Sequence, residues 1–135
     1  WVAVEEDLED LQDGLQPLDL QDKGIVMIPV NDRSERGSEG GCHWSLLELR
    51  RGEAGITGHY YDSIGVGNLA QAQKLANKVV GFMDSKQQRC EVKVEPCGRQ
   101  SNSSDCGVFA LLFIEIVLAG GDTAAVTPSD ASATQ

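Results

Sequence analysis

Positive charge is scarce in this chain: 11 Lys and Arg stand against 21 Asp and Glu, a formal net charge of −10 at pH 7. That balance argues against nucleic acid and anionic membrane surfaces as partners, and suits a partner with a basic face. Long apolar runs are missing as well. The longest, "VFALLFIEIVLAGG", is interrupted by Glu115 and is too short to span a bilayer. The first twenty residues are acidic where a secretory leader would need a positive segment and then an apolar one. Cys42, Cys90, Cys97 and Cys106 show no paired spacing, which excludes a secreted disulfide framework; cytosol or nucleus is the expected compartment. No C-x-x-C is present and Cys42 sits beside His43, so no metal site is expected. "SIGVGN" lacks the lysine and glycine spacing of a nucleotide loop. An initiator methionine is also missing, with Trp1 in its place, so the chain reads as a fragment or a processed product.

What is there suits one small globular domain: 135 residues, 41% hydrophobic and 24% charged. Residues 1–17 form an acidic, flexible lead-in, with a short helix around "EEDLEDLQ" that Gly14 and Pro17 end. The core spans 18–120, and 121–135 is expected to be a disordered tail poor in large apolar residues. "GIVMIPVN" is a buried strand and "DRSERGSEGG" a polar loop. "HWSLLELRR" and "ITGHYYDS" flank the turn "GEAG" as a hairpin. Segment 68–84 puts Leu69, Ala72, Leu75, Ala76, Val79, Phe82 and Met83 on one helical face, with Asn68 as N-cap. "CEVKVEP" alternates as a strand, and 105–119 is a second helix closed by Gly120 and Gly121. The order β-β-β-α-β-α predicts an α+β fold, with two helices flanking a small, mostly antiparallel sheet.

The position of Cys106 calls for a reason. It follows "SNSSD" and precedes the apolar run, at the mouth of a helix rather than deep inside one. Unpaired N–H groups and partial positive charge collect there and favour a thiolate, and such cysteines can have a pKa of roughly 3.5–7.5 beside a histidine. Asn102, Ser103 and Ser104 are cap candidates, and Gly107 leaves room for a close approach. A space-filling cysteine in a capped core helix is the competing reading.

A nucleophile needs a base and a group that orients the base. If the hairpin turns about Gly52 to Gly55, facing residues have numbers that sum to about 107. His43 then falls opposite position 64, with Asp62 as its diagonal neighbour, within reach of side chains. Asp62 shares a face with Ile56, Gly58 and Tyr60, while His59 points away. His43 with Asp62 is therefore the preferred base and orienter, and His59 is a half-buried structural residue. Gln100 could set its amide beside the Cys106 backbone N–H as an oxyanion hole, although a solvated loop glutamine fits the spacing equally well.

"GGCHWSLLELRR", "HYYDS" and "QSNSSDCGVF" together resemble the ubiquitin-like-protein-specific cysteine proteases, the group that holds the sentrin/SUMO-specific proteases and the deneddylase. The resemblance runs from about Leu18 to Leu118 and implies a papain-like cysteine protease core. It implies Cys106 as nucleophile, His43 as base, Asp62 as orienter and Gln100 as oxyanion donor. It also implies that Trp44 roofs a narrow tunnel for a Gly-Gly tail, a constriction only residues without side chains can thread. No cofactor is implied, and a monomer is expected.

Within the family, "PLDL", the loop before His43 and "HYYDS" are most similar to the deneddylase branch. The implied reaction is cleavage after the terminal glycine of the Nedd modifier, in precursor processing or deconjugation. A SUMO-specific protease, a non-catalytic modifier-binding fragment and an acyltransferase on a related fold are the alternatives. "WVAVEEDLEDLQ" does not match the W-L-N-D-type segment of the family, and a Ser/Thr/Ala tail replaces its C-terminal helices. The expectation is a complete catalytic core with an incomplete modifier-binding surface.

Overall fold

The computed structural model describes residues 18–31, 43–101 and 106–125. The expected lead-in, the polar loop with Cys42, the cap candidates Asn102, Ser103 and Ser104, and residues 126–135 lie outside the described residues. The elements are β1 (Ile25–Asn31), β2 (Trp44–Gly52), β3 (Gly55–Tyr61), α1 (Leu69–Met83), β4 (Val92–Val94) and α2 (Cys106–Leu118). They form one four-stranded sheet in the order β1-β2-β3-β4, antiparallel except for the parallel pairing of β3 with β4. The expected α+β order is therefore observed, in a mixed sheet.

The hairpin register follows from its turn. Gly52 pairs with Gly55 across a two-residue loop, and every pair onward to Leu46 and Tyr61 sums to the same number. Gly55 has φ +122°, a conformation that side chains other than hydrogen resist. Once a two-residue turn is set, the period-2 alternation of a strand leaves no freedom over which residues face which side.

Both faces of the sheet are covered, which explains the near-continuous burial of Ser45, Leu46, Leu47, Glu48 and Leu49 in β2. On one face Ile28, Val30, Leu47, Leu49, Ile56 and Tyr60 pack against Ala72, Leu75, Ala76, Val79, Val80 and Met83 of α1. The helical stripe read from the sequence is this face, with Val80 added and Leu69 and Phe82 only partly buried. On the other face Leu46 and Tyr61 meet Phe109, Leu112 and Phe113 of α2. Each of the larger aliphatic and phenylalanine side chains among them stabilises the fold by about 1.5–3 kcal/mol on burial.

The end of α2 is a Schellman motif: Gly121 N–H donates to Ile116 O at 2.8 Å and Gly120 N–H to Val117 O at 3.1 Å, with Gly120 at φ +74°. Here the structure corrects the expected tail. Residues 123–125 form a 3-10 turn, with Thr123 buried. The Thr123 hydroxyl donates to Pro96 O at 2.7 Å, and Gly98 N–H donates to Thr123 O at 2.8 Å. Hydrogen bonding to the 96–98 loop, not apolar burial, holds this segment, and composition alone does not reveal it.

Gly58 is where β4 docks. A Cβ there would lie 2.8 Å from Val92 Cγ2 and 3.2 Å from the Glu91 carbonyl. Gly58→Ala is expected to cost about 1–3 kcal/mol in urea unfolding, and adding Val92→Ala should recover part of the loss. An unchanged midpoint in the single variant would refute the close approach.

Candidate active site

Asp62 sits at the end of β3, where the sheet stops and the chain turns toward α1. Its carboxylate is fully buried and accepts four hydrogen bonds. Oδ1 takes His43 Nε2–H at 2.7 Å, Ile64 N–H at 2.9 Å and Gly65 N–H at 3.1 Å. Oδ2 takes the Tyr60 hydroxyl at 2.5 Å. The hairpin arithmetic thus brings together the two residues it selected. His43, immediately before β2, keeps 14% side-chain exposure. Nε2 is committed to Asp62, so Nδ1 is the nitrogen on the other edge of the ring.

Two residues outside the sequence-predicted site, Tyr60 and Asn68, support Asp62. Tyr60 is completely buried, and its hydroxyl accepts the Asn68 backbone N–H at 3.1 Å while donating to Asp62. Burial, reinforced by that bond to Asp62, raises the phenol above its ordinary range. The sequence holds the signal: Tyr60 stands two residues before Asp62, on the same strand face. Asn68 does occupy the N-cap position of α1, but its side chain makes no cap hydrogen bond, which corrects that expectation. Its amide donates instead to Val30 O at 3.3 Å, to His43 O at 3.4 Å and to Ser45 Oγ at 3.2 Å. Asn68 therefore tethers both the His43 backbone and the hydroxyl that holds Asp62.

Cys106 opens α2, as the sequence predicts, and is buried. Trp44 is the neighbour of Gly107: a Cβ on Gly107 would lie 3.7 Å from Trp44 Cδ1, an ordinary contact distance rather than a close approach. The residue after His43 thus abuts the residue after Cys106. Gln100 is half-buried on the loop before α2, and its backbone N–H donates to Ser63 O at 3.0 Å.

His59 lies on the opposite sheet face and is half-buried. Its Nδ1–H donates to Glu95 at 2.8 Å and its Nε2 accepts from Thr57 at 3.1 Å, in keeping with a structural role. It borders a separate cleft of about 520 Å³ that also involves Tyr61, Glu95 and the buried Glu48. Glu48 is held by Arg50 Nη2–H at 2.7 Å and the Tyr61 hydroxyl at 3.0 Å. None of the predicted site residues lines this cleft.

The remaining described cysteines are poorly placed for thiolate chemistry. Burial pushes Cys90 up to about 11, and burial likewise raises Cys97, against the opposing hydrogen bond to Asp62 O.

With this geometry in view, sequence and structure comparisons agree. The family model described as "Ulp1 protease family, C-terminal catalytic domain" matches residues 2–133. This chain belongs to the Ulp1 protease family. NEDD8-specific protease 1 of Arabidopsis thaliana is 36% identical over 121 residues, 87% of this chain and 51% of that protein. Human sentrin-specific protease 8 is 34% identical over 97 residues, 72% of this chain and 44% of that protein. The chain spans about half the length of these curated relatives. A solved C-terminal Ulp1 protease domain, in complex with Smt3, the yeast ortholog of SUMO, superposes with TM-score 0.72 at 16% identity. That alignment covers 96% of this chain and 57% of the other, and it shows the fold.

Two outcomes are expected. Tyr60→Phe leaves Asp62 Oδ2 and the Asn68 N–H without a buried partner and should cost about 1–3 kcal/mol in urea unfolding; no change would refute the relay. Because the Cys90 pKa is raised in the folded state, its stabilising contribution is full below the ordinary value of 9.0 and is lost as pH rises through about 11. Cys90→Ser should therefore flatten the fall in stability between those pH values, which unfolding midpoints measured across that range will report.

Proposed function

We propose that this chain is a thiol isopeptidase that cleaves after the C-terminal Gly-Gly of a ubiquitin-like modifier, NEDD8 foremost, in precursor processing or deconjugation. The observation that carries the reading is the buried His43–Asp62 hydrogen bond where β2 begins and β3 ends. Beside it, the Trp44–Gly107 contact sets the start of α2, and hence Cys106, against the same end of the sheet. The preference for NEDD8 is supported by the names of two relatives at 36% identity, NEDD8-specific proteases 1 and 2.

In the proposed reaction Asp62 holds Nε2–H, which fixes the tautomer and leaves Nδ1 to take the Cys106 proton. The sulfur, at the N-terminus of α2 where the helix dipole favours negative charge, attacks the glycine carbonyl carbon. Charge develops on the carbonyl oxygen, where the Gln100 side-chain amide and the Cys106 N–H can donate. The amide C–N bond breaks as His43 protonates the leaving amine, giving a thioester. Water, deprotonated by His43, then attacks the thioester and releases the modifier's carboxylate and the thiol. Trp44 packed on Gly107 narrows the approach, which suits a tail of two glycines.

The test is labelling by NEDD8, SUMO and ubiquitin that carry a C-terminal electrophile, side by side. A covalent NEDD8 adduct on Cys106, faster than with the other two and absent in Cys106→Ala, is expected. Asp62→Asn should slow turnover roughly 10²–10⁴-fold and Gln100→Ala roughly 10²–10³-fold. Rapid alkylation of Cys106 by iodoacetamide without a modifier adduct would contradict the assigned substrate class.

A further inference from the structure

Ser63 directly follows Asp62, is 1% exposed and takes no part in the reaction as written above. Its hydroxyl donates to Gln100 Oε1, and its carbonyl accepts the Gln100 backbone N–H at 3.0 Å. The neighbouring residues extend this stitch: the Asp62 carbonyl accepts from Cys97 Sγ at 3.3 Å and from Arg99 Nη1 at 3.5 Å. Residues 97–100 are therefore fastened along the two residues that end the sheet.

The orientation of a glutamine amide decides what it can do. With Oε1 occupied by the serine hydroxyl, the Nε2 end is the one directed away from Ser63, and Nε2 carries two donors. The flipped amide would direct an acceptor outward, and an acceptor repels an oxyanion. We infer that Ser63 is a positioning residue that locks the Gln100 side chain with its N–H groups toward the developing oxyanion. The inference rests on the proposed protease reading. It ties the orienting carboxylate and the oxyanion donor to adjacent residues of one turn, so both are set by a single stretch of backbone.

The test compares hydrolysis of a fluorogenic NEDD8 C-terminal amide by the wild-type chain, Ser63→Ala, Ser63→Thr, Gln100→Ala and Ser63→Ala/Gln100→Ala, with iodoacetamide alkylation of Cys106 followed in parallel. Alkylation needs the thiolate but no oxyanion hole. Ser63→Ala should lower kcat about 10-fold or more, within the roughly 10²–10³-fold effect of losing the donor outright, with KM and the alkylation rate little changed. Ser63→Thr, which keeps the hydroxyl, should recover most of the loss, and the double variant should be no slower than Gln100→Ala. Wild-type kcat in Ser63→Ala, a parallel fall in alkylation, or additive losses would overturn the assignment. If the wild-type chain does not hydrolyse the NEDD8 amide, the NEDD8 assignment falls, and the pair is judged by the Gln100 side-chain signals in ¹H–¹⁵N spectra. Nε2 proton shifts displaced from those of a solvated glutamine, which move to the solvated values in Ser63→Ala and return in Ser63→Thr, support the lock; identical signals in wild type and Ser63→Ala refute it.

Discussion

One carboxylate organises this end of the molecule. Asp62 accepts from the histidine before β2, from a phenol on β3 and from two backbone N–H groups of the turn that leaves the sheet. A buried carboxylate with donors converging from three directions has only one orientation open to it. His43 inherits that orientation, since Asp62 decides which ring nitrogen bears the proton and where the other edge of the ring points. Tyr60 and Asn68 support the arrangement from behind, because Asn68 touches both the Tyr60 hydroxyl and the His43 carbonyl.

The rest of the fold delivers these groups to one place. α1 buries the sheet face that carries Tyr60, and α2 packs its phenylalanines on the opposite face through Leu46 and Tyr61. Cys106 lies one turn before Phe109, so anchoring the apolar stretch of α2 also positions the sulfur at the helix mouth. The Trp44–Gly107 contact then closes the gap between β2 and α2. A Cβ at residue 107 would meet Trp44 only at an ordinary contact distance of 3.7 Å, so this contact does not by itself require the glycine after the cysteine.

The parts that could be read from the sequence are those fixed by local rules. The Gly52–Gly55 turn sets the register, and counting outward from it places Asp62 diagonally across from His43. Helical spacing recovers nearly the whole buried stripe of α1 for the same reason. The features that escaped depend on partners distant in the chain. Asn68 has the composition of a cap, yet Val30, His43 and Ser45 capture its amide. Glu48, on which the sequence gives no signal, is buried against Arg50 and Tyr61 because both faces of the sheet are covered. Residues 121–125 look like tail, and the distant partners that hold Thr123 lie in the 96–98 loop. The Ser63–Gln100 link belongs to the same kind, since nothing local to either residue announces the other.

The central claim is that Asp62 holds the proton on His43 Nε2 and so dedicates Nδ1 to the sulfur. Nitrogen-15 NMR of the His43 ring tests it directly at neutral pH. The account predicts a proton on Nε2, shifted downfield and protected from exchange with solvent, that loses both properties in Asp62→Asn. A neutral ring with its proton on Nδ1, or a spectrum indifferent to the loss of the Asp62 carboxylate, would contradict it.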